Sequence, residues 1–138
     1  AYNRTPRIFE NIQAVDKPTL LREADIISIH LPLTAETKDF IGEEEFNIMQ
    51  PHAVLINTAR GPIVNKDALY EALRKGKIAG AAVDVYDQEP PLPGGYELFN
   101  APNLLMLPHM GYATREAFGD RIRIVIDNIL NWLNSTTR

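Results

Sequence analysis

Arg60, Glu89 and His109 have the residue types that acid/base work on an acidic substrate needs, and each follows an apolar run. Arg60 lies between Asn57-Thr58-Ala59 and Gly61-Pro62. A guanidinium there can fork two hydrogen bonds onto one carboxylate, a geometry a lysine does not reproduce. His109 follows Pro108, and an imidazole titrating near neutrality can give or take a proton if a second group fixes its ring. Glu89 is a candidate for that second group, because a carboxylate against imidazole stabilises the imidazolium. Each has a plainer reading: a solvated loop arginine, a charge ahead of Pro90 and Pro91, a loop histidine bonded to backbone. All three at the carboxyl ends of strands in one sheet is a more demanding coincidence. Together they suggest a carboxylate anchor with an acid/base pair.

Asp84 interrupts the apolar run AGAAVDV near its end, where a charge is costly unless paired or facing a ligand donor such as an amide. It is otherwise a cap or a salt-bridge partner. His30, at another strand end, is either structural or ligand-contacting, and His52 in a polar turn has no assigned role. The three histidines lack metal-ligand spacing, and Ser28 lies inside the run DIISIH rather than on an exposed elbow. Neither GxGxxG nor GxxxxGK[ST] occurs in the 138 residues, so no motif here cradles a phosphate.

The elements that must position these residues alternate. Residues 53–57 (AVLIN) and 78–85 (IAGAAVDV) read as strands buried on both faces, and residues 66–75 between them read as an amphipathic helix. That is one βαβ unit with parallel strands, whose ligands collect beyond the carboxyl ends. Upstream, residues 12–15 (IQAV) read as a short strand, 18–24 as a short helix and 25–30 as a stronger strand. A polar loop with Thr34 and Thr37 leads to a helix over 43–49, whose acidic first turn suits the helix dipole. A breaker-rich loop follows Pro90, residues 103–107 (NLLML) form a last strand, and residues 115–133 carry a broad apolar stripe at helical spacing. The expected class is α/β, a mostly parallel sheet with helices on both faces.

A chain of 138 residues can bury a real core, and 45% hydrophobic content is that of a globular protein. A net charge of −4 and a pI near 5.3 argue against nucleic-acid and anionic-membrane partners. No apolar run approaches the roughly 20 residues of a membrane span. The absence of cysteine excludes disulfides and is compatible with a reducing cytoplasm, the expected location.

Three motifs in order, INTARG at 56–61, AAVDVYDQEP at 81–90 and LPHMG at 107–111, resemble the D-isomer specific 2-hydroxyacid dehydrogenases. This is the family of phosphoglycerate dehydrogenase and glyoxylate/hydroxypyruvate reductase. The segment ADIISIHLPLTAET at 24–37 is similar to its cofactor-contacting strand and loop. The resemblance implies a partial Rossmann-like, doubly wound sheet and hydride transfer between a nicotinamide cofactor and a 2-keto or D-2-hydroxy acid. By it, Arg60 binds the substrate carboxylate, His109 exchanges the carbonyl proton, and Glu89 orients His109. Asp84 holds the nicotinamide carboxamide, and Thr58, Ala59, Arg60, His30, Leu31, Pro32, Thr37, His109 and Gly111 line the cofactor. Glu89 argues against the related formate dehydrogenase activity.

The resemblance also implies boundaries. Residues 1–113 correspond to part of the dinucleotide-binding domain without its GxGxxG unit, and 114–138 to a helix that crosses to a substrate domain. The chain is expected to be the carboxyl-terminal part of a longer enzyme, inactive alone, with exposed sheet edges. Asn3, Arg4 and Thr5 fall at the turn that meets the ribose, with Arg7 nearby. A carboxylate there favours NAD and an arginine accommodates a 2′-phosphate, so the expected cofactor is NADP ahead of NAD. The expected partners are a small keto or hydroxy acid and a second copy in a homodimer. A non-catalytic nucleotide-binding or interaction module, or a self-associating short form, are the alternatives.

Overall fold

Four short apolar runs pair in sequence order into one parallel sheet: β1 (Ile26–Ile29), β2 (Val54–Asn57), β3 (Gly80–Val83) and β4 (Leu104–Met106). The computed structural model describes residues 1–3, 5, 10–88 and 91–136. These form two compact units, Ala1–Pro108 and His109–Arg138.

In the first unit, register places Ile27, Leu55, Ala81 and Leu104 in one row and Ile29, Asn57, Val83 and Met106 in another. Side chains two apart on a strand share a face, so both rows point the same way. That face is buried with α1 (Lys17–Glu23), α2 (Glu43–Ile48) and α3 (Lys66–Arg74), whose Leu21, Phe46, Leu69 and Leu73 join the same core. Right-handed crossovers between parallel strands in sequential order put every connection on one side, which accounts for the arrangement. The expectation of helices on both faces is therefore met on one face among the described residues of this unit. On the other face Ile26 and Leu105 are 66% and 58% exposed.

The helix ends follow local chemistry. Asp16 accepts the Thr19 N–H at 2.7 Å to start α1, and Asn65 accepts the Ala68 N–H at 2.9 Å to start α3. Gly76, at φ 64°, ends α3: its N–H reaches the Leu73 carbonyl at 3.1 Å, and that of Lys77 reaches Ala72 at 2.8 Å.

Residues 12–15 do not form the expected strand of the sheet. Ile12 is 50% exposed, and the Val15 N–H donates at 2.9 Å to the carbonyl of Ala1. A four-residue run becomes a strand only beside a partner, and among the described residues the bonds of Gln13 and Val15 are to Ala1 and not to the four-stranded sheet. The second unit holds α4 (Arg115–Thr136), longer than the expected helix by a turn at its end. Among the described residues no helix is long and apolar enough to cross a membrane.

Candidate active site

β2 ends in a buried polar residue, and the turn that carries Arg60 is built on it. Asn57 is 1% exposed. Its Nδ2 donates to the Arg60 carbonyl at 3.0 Å, while its Oδ1 accepts the Ala59 N–H at 3.1 Å. Its own carbonyl accepts the Asp84 N–H at 3.0 Å, which fixes the end of β3 beside the turn. Thr58 is exposed, Ala59 half-buried and Arg60 exposed, with Arg60 Nη1 donating to the Ala59 carbonyl at 2.6 Å.

A 3-10 turn, Gly61–Ile63, follows, and buried Ile63 anchors it in the core. Gly61 is required by close approach: a Cβ there would lie 2.0 Å from the carbonyl carbon and oxygen of Tyr86. The Arg60 turn is thereby pressed against the segment that leaves β3.

The loop after β1 supplies the opposite wall. His30 shares a 2.9 Å hydrogen bond with the Ser28 hydroxyl, and Thr37 Oγ1 donates to the Pro32 carbonyl at 2.6 Å. The Thr34 N–H donates to that same Thr37 oxygen at 2.8 Å, so Thr37 holds the loop's shape from within. His30, Leu31, Pro32 and Leu33 face Ala59 and Arg60 around an open cavity of about 540 Å³. His30 and Leu31 also line a second, more apolar cavity of about 400 Å³ with Tyr2, Asn3, Leu20, Ile29 and Phe40. Exposed Asn3 thus sits beside the same loop, whereas Thr5 is exposed and lines neither cavity.

Asp84 is 3% exposed, just beyond the end of β3. Burial, and then the Asp84 charge, raise the pKa of the neighbouring Tyr86 phenol. The Tyr86 hydroxyl donates to the Leu107 carbonyl at 2.6 Å and so ties the segment after β3 to the end of β4. Tyr96 Oη donates to Asp87 Oδ1 at 2.6 Å, and burial followed by that bond raises its pKa as well. Glu89 and Arg4 lie outside the described residues, as does Arg7.

His109 and Gly111 belong to the second unit. His109 is half-buried at φ 54°, a left-handed conformation that non-glycine residues adopt at a cost, and one that concentrates at functional positions. Its ring meets Tyr112 edge-on at 6.3 Å, and the Arg121 guanidinium lies 4.7 Å from the Tyr112 ring. Gly111 is exposed.

The structure brings together His30, Leu31, Pro32, Ala59 and Arg60 around one cavity, and joins Asp84 to the Arg60 turn through Asn57. Asn57, Gly61 and Tyr86 were not assigned from sequence. An amide closing an apolar strand, and a glycine between an arginine and a proline, are the signals that point to the first two. Nothing local marks Tyr86, whose partner is 21 residues away.

The D-isomer specific 2-hydroxyacid dehydrogenase NAD binding domain matches residues 1–111. The glyoxylate reductase of Thermococcus litoralis is 47% identical over 133 residues, covering 94% of this chain and 40% of that protein. Glyoxylate/hydroxypyruvate reductase B of Pectobacterium carotovorum is 44% identical over 128 residues, 93% of this chain and 40% of that protein. The structure of D-lactate dehydrogenase with NAD+ from Lactobacillus jensenii superposes with a TM-score of 0.83 at 33% identity, over 97% of this chain and 44% of that one. The chain belongs to the D-isomer specific 2-hydroxyacid dehydrogenases and has the Rossmann-like fold of their NAD binding domain. It spans about 40% of the length of the two reductases it matches.

Proposed function

We propose that this chain is the cofactor-facing part of an enzyme that interconverts 2-keto acids and D-2-hydroxy acids. The observation that carries the reading is the gathering of His30, Leu31, Pro32, Ala59 and Arg60 around one cavity at the carboxyl ends of β1 and β2. Parallel sheets bind dinucleotides there. Apolar walls at Leu31, Pro32 and Ala59, with a buried carboxylate at Asp84 just beyond the end of the next strand, fit a flat ring that carries an amide donor. Bound nicotinamide would supply the hydride that adds to the keto carbon.

The chain's own residues do the rest. Arg60 holds the substrate carboxylate and polarises the C2 carbonyl, and His109 passes a proton to the oxygen on reduction or takes it back on oxidation. Glu89 orients and charges His109, and Asp84 accepts from the carboxamide. Thr58, Thr37 and Gly111 complete the cofactor's surroundings. Residues 1–113 form part of the dinucleotide domain, and 114–138 the helix that crosses to a substrate domain. On this reading the isolated chain does not turn over, and the full enzyme is a cytoplasmic homodimer. Asn3, Arg4 and Thr5 offer no carboxylate to a ribose, which supports NADP ahead of NAD.

The test is reduction of glyoxylate, hydroxypyruvate and pyruvate by the full-length enzyme with NADPH and with NADH. Wild type should reduce at least one, faster with NADPH. Arg60→Ala should lower kcat/KM by roughly 100-fold or more through loss of a bidentate anchor, and His109→Gln by roughly 100-fold through loss of the proton donor. No reduction by wild type, or full activity in either variant, would overturn the reading. Equal kcat/KM with both cofactors would overturn only the NADP preference.

A further inference from the structure

We infer that Asn57 is a positioning residue for Arg60: its buried amide holds the backbone of the turn that presents the guanidinium. This rests on the substrate-anchoring role proposed for Arg60. In the row that Asn57 occupies, the other three members are Ile29, Val83 and Met106, so the position faces the apolar side of the sheet. A branched aliphatic residue would fill it without the cost of burying an amide. The amide instead bonds through both of its ends to Ala59 and Arg60, the two residues that line the cavity. Nδ2 takes the Arg60 carbonyl at 3.0 Å and Oδ1 takes the Ala59 N–H at 3.1 Å.

The same residue's backbone carbonyl receives the Asp84 N–H at 3.0 Å, which refers the turn to the end of β3. On the far side Gly61 abuts the Tyr86 backbone. The Arg60 backbone is therefore held on one side by a buried amide and on the other by contact with the chain leaving β3. The Arg60 side chain itself is exposed. A long side chain in solvent acts at a defined point only if its root is fixed, and Asn57 fixes that root. Displacements of about 1 Å in such supports cost roughly 100-fold in rate.

The experiment is a double-mutant cycle in the full-length enzyme, with saturating cofactor and whichever of glyoxylate, hydroxypyruvate or pyruvate wild type reduces fastest. The four forms are wild type, Asn57→Ala, Arg60→Ala and the double variant. In the wild-type background Asn57→Ala should lower kcat/KM by roughly 10- to 100-fold, with a rise in KM for the keto acid. In the Arg60→Ala background the same change should cost less than about threefold, because there is no guanidinium left to misplace. An equal loss in both backgrounds overturns the positioning role and leaves the dehydrogenase reading standing. Full activity of Arg60→Ala takes down both. If Asn57→Ala does not fold, Asn57→Asp carries the same cycle, since it keeps the volume and the acceptor for Ala59 but removes the donor to Arg60. Failure of both to fold overturns the inference and makes Asn57 a residue of the core.

Discussion

At the scale of single residues, the Arg60 turn is determined by what lacks a side chain as much as by what has one. A Cβ at Gly61 would lie 2.0 Å from the carbonyl carbon and the carbonyl oxygen of Tyr86, and both are backbone atoms. Neither can move aside as a flexible side chain does. Gly61→Ala should therefore lower stability by about 1–3 kcal/mol, the ordinary cost of overpacking a tight contact. It should also reduce keto-acid turnover by shifting Arg60. Urea unfolding of the full-length protein measures the first, and a change under about 0.5 kcal/mol would show that the turn is looser than the geometry requires. Lys66 sits in the same neighbourhood, 3.8 Å from Asp87 and 5.4 Å from the Tyr96 ring centroid, so the segment after β3 is braced by charge and by aromatic packing.

At the scale of elements, α1 and α2 are stitched together by one carboxylate. Glu45 Oε2 accepts the Gly42 N–H at 2.9 Å, closing the first turn of α2, and Glu45 Oε1 takes Lys17 Nζ at 2.7 Å. Lys17, the first residue of α1, also donates to the Phe40 carbonyl at 2.7 Å and stands 3.9 Å from the Phe40 ring centroid. Partial burial works to raise the Glu45 pKa, but the bonds from Lys17 and the Gly42 amide outweigh it and hold the carboxyl below its usual 4.5. A folded-state pKa below the unfolded value stabilises the protein above the unfolded value and ceases to do so as pH falls through the folded one. Stability should thus fall with pH below about 4.5, and Glu45→Gln should flatten that limb while costing no more than about 1 kcal/mol at pH 7, since solvent screens the pair. Thermal melts between pH 3 and pH 7 test it. An acid limb unchanged in the variant would assign the loss to other carboxylates.

At the scale of the molecule, the four-stranded sheet of the first unit carries α1, α2 and α3 on one side. The second face carries Ile26 at 66% exposure and Leu105 at 58%, and among the described residues β1 is an edge strand. In α4, Phe118, Ile122, Ile129 and Trp132 are each about half exposed or more, at 49%, 60%, 52% and 64%. Apolar surface of this extent, with an open strand edge, drives association. The isolated 138-residue chain should elute as dimers or larger species and scatter accordingly. A well-behaved monomer at tens of micromolar, with no binding of a hydrophobic dye, would contradict the uncovered-face argument.

Local order was legible from sequence because its causes are local. The apolar runs 53–57 and 78–85 gave the strands, helical spacing gave the helix over 66–75, and INTARG, AAVDVYDQEP and LPHMG gave the family and its expected site residues. Residues 12–15 failed as a strand because strand formation depends on a neighbour that no four-residue window contains. The one-sided placement of the helices came from strand order, which propensity does not encode. The pairing of Asn57 with Arg60, of Gly61 with Tyr86 and of the Tyr86 hydroxyl with Leu107 was decided by the tertiary structure alone. Residue type settles what a side chain can do chemically. Which backbone it presses against, and hence where Arg60 is rooted, is settled only when strands distant in sequence lie side by side.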